Sequence, residues 1–347
     1  MNVPQTAALN RRFVLTQHTQ PDAEPTPAVW KLETVPVPEA GPGQVLLRTL
    51  WLSLDPYMRV RLNDADTYMP SVKKGEVMVG GTVSRVEASN HPDYQVGDLV
   101  HSYAGWQDYM ISDGSDIIIK LPAGAPHPSW YLGALGMPGF TAWHALMNIG
   151  KPKAGETFVV AAATGAVGQI IGQLAKQAGL RTVGIAGGQK KCDYATGELG
   201  FDVCVDHRAK DFPAQLKAAC PKGIDIYMEN VGGPVFDAVM PLLKEFARVP
   251  VCGLISHYSG GGMEGADRLP GFMAQTLFKR LKVEGFIIFD AYPEHHANFQ
   301  QHARPLVEGG QVKVREHIID ELESAPQGLI DLLKGDNFGK VVVRVGA

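Results

Sequence analysis

The segment Phe158-Val159-Val160-Ala161-Ala162-Ala163-Thr164-Gly165-Ala166-Val167-Gly168, continuing through residues 169–176, has the residue order of a buried strand, a small-residue turn and a helix. That order turns unpaired backbone N–H groups and the positive end of a helix dipole toward an anion, the way a dinucleotide pyrophosphate is held. Ala163 stands where the first glycine of a G-x-G-x-x-G pattern would be. Gly165 is left to admit the pyrophosphate, with Ala166 and Val167 beside it, and Gly168 to allow close helix–strand packing. The next strand-like run ends in Gly187-Gly188-Gln189-Lys190-Lys191. An NAD site carries an acid there for the ribose 2′-OH; here no acid is present and two lysines follow. Lysines in a first helical turn oppose the dipole, so the pattern predicts an anion beside them: the 2′-phosphate of NADP, with Lys191 as its preferred ligand. Tyr194 could stack on adenine, although a core or surface tyrosine is the favoured reading.

Composition bounds the rest. A chain of 347 residues can bury two cores. Its 45% hydrophobic and 20% charged content is that of a globular protein, and a net charge of −4 offers no nucleic-acid footprint. Cys192, Cys204, Cys220 and Cys252 contain no C-x-x-C and are widely spaced, which reads as free thiols in a cytoplasmic protein. No apolar run reaches the length of a membrane span, and the first residues lack a signal-peptide pattern.

The elements that must position these residues follow from periodicity. Residues 1–125 are β-rich with glycine and proline punctuation, as in a small barrel or sandwich. The texture changes near Leu132. Strands are expected at 157–161, 181–185, 203–206, 224–229, 247–251 and 282–289, with helices at 167–178 and 235–243 among those between them, which predicts an α/β doubly wound parallel sheet. The tail after about 305 is too short for a domain and is expected to complete the first one. Glu294-His295-His296, with His302 beyond, reads as a polar surface loop, since adjacent histidines seldom converge on one ion. Gly260-Gly261-Gly262 is the loosest point of the chain.

Six further segments carry a resemblance: Ser53-Leu54-Asp55-Pro56-Tyr57-Met58-Arg59, Leu135-Gly136-Met137-Pro138-Gly139-Phe140-Thr141-Ala142, Ala162 to Gly168, Glu229-Asn230-Val231-Gly232-Gly233, Cys252-Gly253-Leu254-Ile255-Ser256-His257-Tyr258, and Leu333-Lys334-Gly335-Asp336-Asn337-Phe338-Gly339-Lys340. Together, in this order, they resemble the medium-chain dehydrogenase/reductase superfamily, and within it the zinc-free NADP-dependent alkenal/one oxidoreductases of the curcumin and prostaglandin reductase type. The resemblance implies a GroES-like catalytic domain from both chain ends (1–130 and 306–347) around a Rossmann NADP-binding domain (131–305). It implies reduction of the C=C bond of an α,β-unsaturated ketone or aldehyde by NADPH. It also implies cofactor contacts from Gly165, Ala166, Val167, Gly168, Gly187, Lys191, Asn230, Cys252, Tyr258 and Asn337, with Met137, Pro138 and Thr141 close by. Tyr57 is expected to face the substrate. A homodimer is expected through the apolar strand around Val283–Phe289.

Two departures stand out. His207 replaces the tyrosine that relatives often place after the third Rossmann strand; an imidazole can still donate a hydrogen bond to the 2′-phosphate. Phe289 stands where some relatives have tyrosine at the end of the last Rossmann strand. Gly80-Gly81-Thr82 lies where zinc members of the superfamily carry Gly-His-Glu, so no metal site is expected. Conjugate reduction asks only for a hydrogen-bond donor at the developing enolate oxygen. Tyr57 is the first candidate, although it could equally be a pocket wall, and Tyr258 could donate, relay, or only position the cofactor. Arg59 is expected to pair with an acidic neighbour. Two other readings stay open: a quinone reductase or carbonyl-reducing dehydrogenase on the same fold, and a non-catalytic NADPH-binding protein.

Overall fold

The computed structural model describes residues 9–260 and 268–346. The chain opens with β1 (Leu9–Leu15), β2 (Trp30–Pro36), β3 (Val45–Ser53), β4 (Thr82–Ser89), β5 (Leu99–Ser102), β6 (Tyr109–Ser112) and β7 (Ile119–Lys120). The central segment runs α1 (Met137–His144), β8 (Thr157–Ala161), α2 (Gly168–Gln177), β9 (Arg181–Ala186), α3 (Gln189–Gly197), β10 (Val203–Asp206), α4 (Phe212–Ala219), β11 (Ile224–Met228), α5 (Gly233–Val239), β12 (Leu243–Val251), α6 (Leu269–Lys279), β13 (Lys282–Gly285) and α7 (Ile288–Glu308). The tail supplies β14 (Glu316–Asp320), α8 (Ala325–Lys334) and β15 (Lys340–Arg344). The described residues divide into two compact units. Of these, one takes 9–132, 316–337 and 341–346, and the other takes 133–260, 268–315 and 338–340.

In the unit built from both chain ends, seven strands form a sheet in the order β14-β15-β3-β4-β5-β7, with β6 also on β3, and β1 pairs antiparallel with β2. The tail joins it by antiparallel pairing of β15 with β3, Val342 opposite Ser53. Its core holds Phe13, Leu52, Met58 and Leu329 around Trp106, whose ring stacks on Trp30 at 5.4 Å. Gly80 is needed for that packing: a Cβ there would stand 2.8 Å from the Leu52 side chain and 3.2 Å from Met58 and Trp106.

The other unit is a six-stranded parallel sheet, order β10-β9-β8-β11-β12-β13. The central strands β8 and β11 are fully buried, as expected for a sheet covered on both faces. The strand order reverses between β8 and β11, and ligands of open α/β sheets bind at that switch point, beyond the carboxyl ends of the strands.

Two local readings are corrected. The apolar run at 283–289 is not one strand: β13 stops at Gly285 and Ile288 opens a 21-residue helix, so Phe289 sits in the first turn of α7. A short apolar run cannot tell a strand from the start of a helix. Glu294, His295 and His296 lie within that helix and not in a surface loop. His296 packs on Phe140 and Tyr292, and His295 faces His144 at 5.3 Å between ring centroids. Burial holds the His144 and His296 imidazoles below their ordinary range. The four cysteines are free thiols, as expected, and Cys192 of α3 lies close enough to Cys204 of β10 for the two thiols to influence each other's ionisation. Of the glycines at 260–262, Gly261 and Gly262 lie outside the described residues.

Candidate active site

The switch point is built from β8 outward. After β8, Ala162 takes a left-handed backbone (φ 54°) and the Ala163 amide returns to the Ile185 carbonyl at 3.0 Å. Gly165 N–H closes the turn on the Ala162 carbonyl at 2.8 Å. The amides of Ala166 and Val167 then make no hydrogen bond among the described residues, directly before the first turn of α2. Two free donors at a positive helix end form an anion cradle. Gly168 makes it possible: a Cβ there would lie 2.2 Å from the Ala162 carbonyl oxygen.

Facing it, the turn after β11 is organised by a buried carboxylate. Glu229 is 2% exposed, and its Oε1 accepts from the Val231 amide at 2.6 Å and the Gly232 amide at 2.8 Å. Burial raises the Glu229 carboxyl above its ordinary range, outweighing those two donors. Asn230 Nδ2 donates to the Ala161 carbonyl at 3.1 Å, tying this turn to the end of β8. The turn after β12 is zipped onto it, with Cys252 N–H on the Glu229 carbonyl and Ile255 N–H on the Asn230 carbonyl. Cys252 is half-buried, and burial with the Glu229 charge pushes its thiol up to about 12, so it stays protonated at neutral pH. The Tyr258 hydroxyl accepts from Leu254 N–H at 3.4 Å, and Gly253 makes room for it: a Cβ there would stand 2.7 Å away. Asn230, Cys252 and Tyr258 thus belong to one hydrogen-bonded pair of turns.

At the end of β9 the adenosine side takes shape. Lys190 and Lys191 occupy the first turn of α3. A Cβ on Gly187 would stand 3.0 Å from His207 Nε2 and 3.1 Å from Arg208 Nε, so both side chains converge on that bare backbone. Asp206 Oδ1 accepts from the Gly188 amide at 2.8 Å and the Arg208 amide at 2.9 Å, fixing the two turns to each other. Burial, then the Arg208 and Lys191 cations, hold the His207 imidazole below its ordinary range against the pull of Asp206. Arg208 and Glu229 were not singled out from sequence as site residues; Glu229 lay within a quoted motif, and nothing in the spacing marked Arg208.

Met137 and Pro138 open α1, and Thr141 Oγ1 bonds back to the Met137 carbonyl at 2.8 Å, so all three sit in its first turns. Tyr57 and Asn337 belong to the other unit. Tyr57 lies in the 3-10 turn Pro56–Leu62, partly buried against that unit's core. Burial, reinforced by the Asp55 charge, keeps its phenol protonated far above the ordinary range. Its hydroxyl makes no hydrogen bond among the described residues. Asn337 is half-buried in the turn before β15. Arg59 is 0% exposed. It donates to the carbonyls of Gln20, Pro21 and Ala23 and to Asn63 Oδ1, pinning the 20–23 loop, with the Asp22 charge nearby. Among the described residues no three His, Cys, Asp or Glu side chains gather as a metal-ligand set.

Comparison with known proteins gives this geometry a lineage. Residues 11–119 match the N-terminal domain of oxidoreductase family, and residues 166–308 match the zinc-binding dehydrogenase family. The NADPH-dependent curcumin reductase of Escherichia coli (strain K12) is 57% identical over 337 residues, 97% of each chain. The chain belongs to the medium-chain dehydrogenase/reductase family, in its curcumin and alkenal reductase branch. Within that branch, the 2-alkenal reductase (NADP(+)-dependent) of Nicotiana tabacum is 40% identical, with 89% of each chain covered. The crystal structure of CurA from Vibrio vulnificus in complex with NADPH is 51% identical and superimposes with a TM-score of 0.93 over 97% of this chain and 99% of that one. For this family member the fold is therefore a Rossmann-like parallel sheet and a separate antiparallel unit.

Proposed function

We propose that this protein reduces the C=C bond of α,β-unsaturated ketones or aldehydes with NADPH. The observation that carries the reading is the end-to-end 57% identity with an NADPH-dependent curcumin reductase. The chain's own residues fit the cofactor: the open amides of Ala166 and Val167 suit a pyrophosphate, and Lys191 and His207 beside Gly187 suit a 2′-phosphate. Asn230, Cys252 and Tyr258 are assigned to the nicotinamide half, Met137, Pro138 and Thr141 beside it, and Asn337 to the same cofactor.

When bound, NADPH would supply a hydride to the β-carbon of the enone, leaving NADP+ and an enolate charge on the substrate's carbonyl oxygen, and a proton from water or a side chain at the α-carbon would complete the saturated carbonyl. We assign Tyr57 to that oxygen. A phenol that is protonated and free of protein acceptors can give its whole donor strength to substrate, a contribution of about 3–4 kcal/mol by comparison with other oxyanion donors. Tyr258, steadied by Leu254 N–H, is assigned to position the cofactor.

The reading extends to a cytoplasmic homodimer. β13 is an edge strand with all four residues exposed. Beside it stand exposed apolar side chains, Phe278 at 69%, Leu277 at 71% and Phe246 at 57%. A bare edge flanked by exposed apolar side chains invites a second copy across a two-fold axis, and the four unbridged thiols suit a reducing compartment.

The test is NADPH oxidation against 2-alkenals, enones and quinones with product analysis. Saturated carbonyl products are expected. Turnover confined to quinones, or allylic alcohols as products, would overturn the reading.

A further inference from the structure

Among the described residues nothing accepts from the guanidinium of Arg315. Its backbone is fixed on both sides: its N–H donates to Gln169 Oε1 at 2.8 Å, and its carbonyl accepts from Gln169 Nε2 and Lys340 N–H, each at 3.0 Å. Gly339, with φ 99°, lets the two strands approach, since a Cβ there would stand 2.4 Å from the Arg315 carbonyl oxygen. The guanidinium lies over Phe338, Cζ 3.9 Å from the ring centroid, and 5.1 Å from the centroid of Tyr194. The two rings meet edge to face at 5.1 Å. Yet the guanidinium makes no hydrogen bond and no ion pair among the described residues, and its buried Nε has no acceptor.

A guanidinium whose buried Nε–H has no acceptor is costly, and ring faces return only about 0.5–2 kcal/mol. The cost grows because a second cation flanks the same ring: Lys190 Nζ is 6.0 Å from the Phe338 centroid. Lys190 and Tyr194 both belong to α3, whose first turn follows the end of β9, where the ribose 2′ position of a dinucleotide lies. A planar fork held rigid on an aromatic face suits bidentate contact with a phosphate.

We propose that Arg315 is a further specificity-determining residue, a ligand for the 2′-phosphate that sets NADPH above NADH. The proposal rests on the NADPH reading above. Because the guanidinium is stacked in place beforehand, binding orders little new side chain.

Isothermal titration of the whole chain with adenosine 2′,5′-bisphosphate and adenosine 5′-monophosphate tests it. R315M keeps the apolar stem on Phe338 and removes the charge; R315K keeps the charge and removes the fork. R315M is expected to weaken the bisphosphate at least tenfold and leave the monophosphate unchanged, with R315K in between. The KM for NADPH should rise in R315M at constant kcat. Unchanged bisphosphate affinity, or equal loss for both nucleotides, would overturn the assignment. The second pattern would mean that Arg315 supports the fold or another phosphate. Wild-type protein that bound neither nucleotide would instead overturn the NADPH reading, and this assignment with it.

Discussion

Tyr57 and His207 show how burial and charge set what a single side chain can do. The Tyr57 phenol stays protonated because burial and the Asp55 charge both disfavour phenolate. It can therefore donate at any pH the protein survives. Tyr57→Phe should lower kcat more than tenfold with an enone while NADPH affinity holds; near-normal turnover would leave Tyr57 as a pocket wall. His207 carries a different prediction. In the free protein burial and the Arg208 and Lys191 cations depress its imidazole below the ordinary 6.5, so it is neutral at pH 7. A 2′-phosphate dianion beside it favours the charged form and raises that pKa, so binding takes up a proton. NADP affinity should then tighten as pH falls from 8 toward 6, and calorimetry on His207→Asn should show that slope reduced. An identical slope in the variant would place the phosphate elsewhere. The histidine was visible in the sequence; its company was not. Arg208 reaches Gly187 from the turn after β10, and Arg315 reaches Tyr194 and Phe338 from the tail, through side-chain packing that spacing does not encode.

At the scale of elements, the strand–turn–helix of β8 and α2 was legible because residue size alone dictates it. Gly168 is set by steric necessity. Gly168→Ala must move the turn or the helix, since its Cβ would meet the Ala162 carbonyl oxygen at 2.2 Å. We expect a loss of about 1–3 kcal/mol in stability from overpacking, read by urea unfolding, and at least tenfold weaker NADP binding. A variant that binds NADP normally would mean that the open amides of Ala166 and Val167 are not the pyrophosphate cradle. The β13–α7 junction was not legible. Val283 to Phe289 is apolar apart from Glu284, and only the tertiary partner decides it: Phe299 and other buried residues of α7 pack against Phe140 and Trp143 of α1. The same packing draws His295 and His296 into a helix, which their polarity alone would have left in a loop. Glu229 was hidden for a similar reason, because its value lies in two backbone amides that no side-chain pattern announces.

For the whole molecule, alternating strands and helices after Leu132 foretold the parallel sheet, and the orphan tail foretold its return to the antiparallel one through β15 and β3. The assembly follows from what the sheet leaves bare. Phe278→Glu places a charge on the exposed apolar patch beside β13, and sedimentation velocity should show the proposed dimer converted to monomer. A species of unchanged mass, dimeric in both forms, would move the interface elsewhere. The account as a whole rests on where the hydride goes. Turnover of an enone with NADPH deuterated at the transferred C4 position, followed by NMR of the product, tests that directly. Deuterium on the β-carbon of a saturated ketone is the predicted result; deuterium on the carbinol carbon of an unsaturated alcohol would contradict it.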